Sequence, residues 1–179
     1  MASIIGVQEL QHTNGTSAMT IDSSGQVSMP NTVMVDMWRL ASSFATNNAV
    51  ITGWEQPDHT LHSNVGSSMT VSSGVFTFPK TGLYRVVATF FMNATSADTS
   101  FGVVMEGCTD GSTFSVLADG FESNTVNSNL SMSDLVNITD ISNRKIRFQT
   151  SGLGTDVQVL GESNRNRSFV IIERIADSQ

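Results

Sequence analysis

The chain has 179 residues, with 9 lysines and arginines against 16 aspartates and glutamates and a formal net charge of −7. No basic stripe is available for counterion release, so nucleic acid is excluded as an expected ligand. Charged residues make up 14% of the chain, well below the usual quarter, which leaves Ser, Thr and Asn to supply the polar surface. A single cysteine, Cys108, rules out an intrachain disulfide framework, and no apolar run approaches the roughly 18 residues of a membrane-spanning helix.

One folded domain preceded by an arm is expected at this length, with the arm over residues 1–33 and the domain over 34–179. The start, MASIIGVQELQHTNG, lacks the basic and apolar regions of a secretory signal, so the expectation is a chain made in a cytoplasm and not exported by that route. In the arm, Ile4, Ile5, Val7 and Leu10 form an apolar run. Met19 to Ile21 and Gln26 to Met29 then flank Asp22-Ser23-Ser24-Gly25, a hairpin signal in which Gly25 can take a positive φ. A lone hairpin is marginal in water, so the arm is expected to gain order by docking on a neighbour.

From Val33 onward the pattern is of successive short strands. They are expected at Val35 to Leu40, near Val50, Ile51 and Trp54, at Met69 to Val71, at 75–78 and at 83–92. More follow at Phe101 to Glu106, Thr113 to Leu117, a polar pair between Asn124 and Val136, Lys145 to Gln149, Asp156 to Leu160 and Arg167 to Ile175. Turn signals such as Asp110-Gly111, Asp119-Gly120 and Ser151-Gly152 separate them, and helical period is almost absent, which predicts an all-β antiparallel jelly-roll sandwich. The last strand, Ser168 to Ile175, is nearly continuous in apolar residues, so it is expected centrally in its sheet and covered on both faces.

The segment Gly74-Val75-Phe76-Thr77-Phe78-Pro79-Lys80-Thr81-Gly82-Leu83-Tyr84, followed by a long strand, together with the closing strand Ser168 to Ile175, resembles the tumour-necrosis-factor-like jelly roll shared with the globular head of the first complement component. The arm from Asn14 to Pro30 resembles the linker ahead of such jelly rolls in structural proteins of tailed bacteriophages. The resemblance implies a trimer packed through apolar faces, with Phe78, Tyr84, Phe169 and Ile171 at its core. It also implies a virion location, on the capsid surface or a fibre, after synthesis in the host cytoplasm.

Catalytic signatures are missing: there is no G-x-S-x-G elbow, P-loop or dinucleotide fingerprint, so neither an enzyme nor a cofactor is expected. Asp58-His59-Thr60-Leu61-His62 is the one cluster with metal-type ligands, but it lacks a helical frame and further ligands, and a solvated loop without metal is the expected reading. Cys108 is expected to be a quiet core or turn residue. The functional expectation is a trimeric, non-enzymatic capsid decoration protein. Its arm, through Ile4, Ile5, Val7, Leu10, Met19 and Ile21, would hold the major capsid protein or another virion protein. The alternative is a fibre tip binding a host surface glycan through a ligand loop bearing Trp54, Phe114 and Phe121, although core packing is the first expectation for these aromatics. Neither nucleic acid nor membrane is an expected partner.

Overall fold

A computed structural model of the chain describes residues 7–11, 13, 15, 17–28, 33–95, 100–123 and 126–179, and every described element is a strand. The arm carries β1 (Glu9–Gln11), β2 (Ser17–Ile21) and β3 (Val27–Ser28), paired antiparallel in that order. The β2–β3 turn closes on Asp22, whose carboxylate accepts the N–H groups of Ser24 and Gln26 at 2.8 and 2.9 Å. Such a side-chain turn is what the Asp-Ser-Ser-Gly signal encodes. Ile4, Ile5, Met29 and Pro30 lie outside the described residues.

Two sheets follow. Chain order gives β4 (Met34–Leu40), β5 (Ser42–Phe44), β6 (Trp54–Glu55), β7 (Thr70–Ser72), β8 (Val75–Thr77) and β9 (Gly82–Ala94). Next come β10 (Phe101–Cys108), β11 (Phe114–Glu122), β12 (Asn127–Ile138), β13 (Lys145–Ser151), β14 (Val157–Glu162) and β15 (Phe169–Ala176). The smaller sheet runs β11-β10-β13-β8-β7. In the larger sheet β9 is the axis: β12 pairs along one of its edges, while β15 and β14 share the other, followed by β4 with β6 and by β5. The closing strand β15 is thus central, between β9 and β4. Every ladder in both sheets is antiparallel.

Alternation decides what is inside. In β9, Tyr84, Val86, Ala88, Phe90 and Met92 have no exposed surface, and they meet Val170 and Ile172 of β15 and Phe76, Met105 and Phe148 of the facing sheet in one core. Phe76, Phe90 and Phe148 form its aromatic centre, with ring centroids 5.4–5.9 Å apart and tilted or edge-on, as ring quadrupoles favour. The segment expected as a polar pair of strands is instead the single strand β12. Its Leu130, Met132, Val136 and Ile138 face inward while Asn129, Ser131 and Ser133 face water. Polarity there marks a solvated face, with no turn between two strands.

The β7–β8 connection is a two-residue turn in which Ser73 and Gly74 both have positive φ, 51° and 79°, the geometry that matches strand twist in a tight hairpin. A Cβ on Gly74 would also lie 2.3 Å from the Ile51 carbonyl oxygen. Cys108 is buried and its thiol donates to the Asn143 carbonyl at 3.2 Å.

Candidate functional site

Two regions concentrate features that a bare sandwich does not require. The first is the outer face of the larger sheet. Met37 of β4 lies opposite Ile171 of β15, which lies opposite Val87 of β9, giving an apolar row across three strands. Phe169, Leu83 and Phe91 extend it, and all six are only half-buried within one chain. Leu135 of β12, opposite Arg85, is 56% exposed. Of the residues expected at a trimer core, Phe169 and Ile171 lie on this face. Phe78 and Tyr84 do not: they are 1% and 0% exposed, with rings 4.7 Å apart inside their own sandwich. Their phase along the chain points them inward, so no sister subunit can reach them. The Tyr84 hydroxyl donates to the Lys80 carbonyl at 2.8 Å, and burial raises its pKa.

The second region lies along the segment from Trp54 to Val65, which has almost no regular structure yet is pinned by two charged residues of β4. Asp36 points inward with no exposed surface. One of its oxygens accepts Gln56 Nε2 at 2.9 Å, and the other accepts Trp38 Nε1 at 2.9 Å and the Met69 N–H at 2.7 Å. Arg39, on the opposite face, is 2% exposed and donates to Glu55 and Asp58 at 2.8 Å each. Burial alone would lower the Arg39 pKa, but its hydrogen bonds to Glu55 and Asp58 outweigh this and hold the guanidinium above its ordinary value. The same contact to Arg39 lowers the Asp58 pKa. Neither Asp36 nor Arg39 stands out as a site residue in the sequence. The available signal was an aspartate at an inward position of an apolar strand, flanked in register by Met34 and Trp38.

Above this pinned segment lies an open cleft of about 340 Å³, lined by Arg39, Pro57, His59, Leu61, His62 and the turn Asn164-Arg165-Asn166. The aromatics expected in a ligand loop are not in its lining. Trp54 packs against Phe76 and Phe90 with centroids 5.5 and 6.2 Å away and donates its indole N–H to the Ile51 carbonyl at 2.9 Å, so it is a core residue. Phe114 lies under the Arg147 guanidinium, 4.0 Å from its ring centroid. Phe121 is 46% exposed and lies against Gly102, where an added Cβ would meet its ring at 2.8 Å. No group of three or more His, Cys, Asp or Glu side chains suited to a metal occurs among the described residues.

In the arm, register puts Leu10 opposite Met19, and Ile21, two residues on, opposite Val27. All four share one face, and Leu10 and Val27 remain 49% and 56% exposed. Val7 is half-buried just ahead of β1.

Strand order and the two-sheet packing define a tumour-necrosis-factor-like jelly roll. Eiger, a tumour necrosis factor from S. frugiperda, superposes with a TM-score of 0.64 at 12% identity, over 83% of this chain and 96% of that one. Murine APRIL gives 0.59 at 11% identity over 79% and 98%, and the globular domain of zebrafish complement 1qA gives 0.51 at 14% over 83% and 100%. No protein-family model matches the chain, and no curated protein matches it in sequence.

Proposed function

We propose that the chain is a non-enzymatic structural protein that assembles as a homotrimer and decorates a phage capsid through its N-terminal arm. The observation that carries the reading is a pair of apolar sheet faces that remain half-buried or exposed among the described residues. The outer row Met37, Ile171 and Val87 suits packing against sister copies, because apolar area of that kind gains by leaving water. The arm face of Leu10, Met19, Ile21 and Val27 suits a different partner. A three-stranded sheet this small cannot enclose a core, and docking on the major capsid protein would complete it. Three arms on one trimer multiply the effective concentration of each contact, so weak single docking becomes firm attachment. The capsid as partner rests on the likeness of Asn14 to Pro30 to phage linkers.

The test is the copy number of the polypeptide relative to the major capsid protein in purified particles, by quantitative mass spectrometry, alongside a variant lacking residues 2–30. The reading expects a ratio approaching one and a variant that remains folded and trimeric but no longer sediments with particles. Retained binding of the variant, or absence of the protein from particles, refutes it.

A further inference from the structure

We propose that the cleft between the His59–His62 loop and the Asn164–Asn166 turn is a subsite for one neutral pyranose unit of a saccharide. The inference is independent of whether the protein decorates a capsid. Five observations bear it. The floor is rigid, because Arg39 and Asp36 tie the loop to β4 through side chains with almost no exposed surface, and a pre-organised site loses little freedom on binding. Its volume of about 340 Å³ lies at the small end of ligand sites, which run from about 300 to 1,000 Å³.

The lining also mixes donors with acceptors, as hydroxyls require. His59 Nδ1 accepts the Leu61 N–H at 3.1 Å, so neutral His59 carries its proton on Nε2 as a donor. Asn64 Oδ1 accepts the Met37 N–H and lies 3.0 Å from His62 Nε2. His62 Nε2 is therefore the donor in that contact, and Nδ1 is left as an acceptor. The Asn164 and Asn166 amides stand on the opposite wall, exposed to solvent. Vicinal hydroxyls, each able to donate and accept, match such an array.

Charge argues against an anion. Arg39 is held by Glu55 and Asp58, and Arg165 shares Glu162 with Arg167, at 3.0 and 2.7 Å, so three cations are balanced by three carboxylates. Finally, Leu61 is 89% exposed at the rim, beside Pro57. That apolar edge is what the C–H face of a pyranose would cover.

Saturation-transfer NMR on the full chain with the methyl glycosides of glucose, galactose, mannose and N-acetylglucosamine, at millimolar concentration, tests the proposal. At least one glycoside should receive transfer, and a His62→Ala, Asn164→Ala double variant should bind it roughly tenfold more weakly, the loss of one or two hydrogen bonds. Leu61→Asp, at a position too exposed to affect folding, should weaken it as well. Transfer to none of the four, equal binding by both variants, or displacement of the glycoside by inorganic phosphate each overturns the proposal.

Discussion

Asp36 accepts three N–H donors in a place water does not reach. Asp36→Ala would strand the Met69 N–H and the Trp38 indole together, and a buried unsatisfied donor costs about 1–3 kcal/mol. The expected loss is about 3 kcal/mol, seen as a fall in Tm of roughly 6–12 °C for a domain of this size. Asp110 shows a different residue-scale effect. Its carboxylate is hydrogen-bonded by the Thr113 side chain and by the backbone N–H groups of Thr113 and Ser112, at 2.7 and 2.9 Å for the latter two, which holds its pKa well below the ordinary 3.8. Asp140 is lowered in the same way by Ser142 and Asn143. A depressed folded-state pKa stabilises the fold above the unfolded value, and that contribution disappears as pH falls toward the folded one. Thermal melts from neutral pH to below pH 3.8 should therefore show a shallower acid limb for Asp110→Ala than for the parent.

At the scale of elements, the β7–β8 hairpin depends on its turn. Gly74→Ala would place a side chain at positive φ and against the Ile51 carbonyl. A loss of about 2 kcal/mol or more in chemical denaturation is expected. Elements with strong alternation were legible in the sequence. The aromatic and β-branched residues of β9 and β15 announced both strands, and the continuous apolar character of β15 announced its central place. β12 was harder, because Ser, Asn and Asp on its solvated side resemble turn chemistry until Leu130, Met132, Val136 and Ile138 are seen to share a phase. Trp54 carried both a core and a loop reading for a related reason. Gly53 and Glu55 beside it suggest a loop, and only the fold brings Phe76, Phe90 and Phe148 around its ring. The cleft was less legible still, since Arg165 meets the His59 segment only through the pairing of β15 with β4.

For the whole molecule, self-association is the property most directly open to test. Ile171→Glu would put an unpaired carboxylate in the middle of the outer apolar row, and burying such a charge between subunits is strongly unfavourable. Sedimentation should show the parent at three times the 19.2 kDa chain mass and the variant at one, with circular dichroism unchanged. A parent that sediments as one chain would refute the trimer. The pairing of the sandwich's first strand with its last, β4 with β15, reaches further, into synthesis. β9 finds all of its neighbours in the larger sheet downstream, beginning at Asn127, Val157 and Phe169. At roughly 5–20 residues per second, β9 would wait on the order of 4–16 s for β15 to be made. Non-local pairing of this kind also folds slowly. The sandwich can close only once β15 has left the ribosome, so β4 and β9 stand with open pairing edges for most of the time the sandwich is being made.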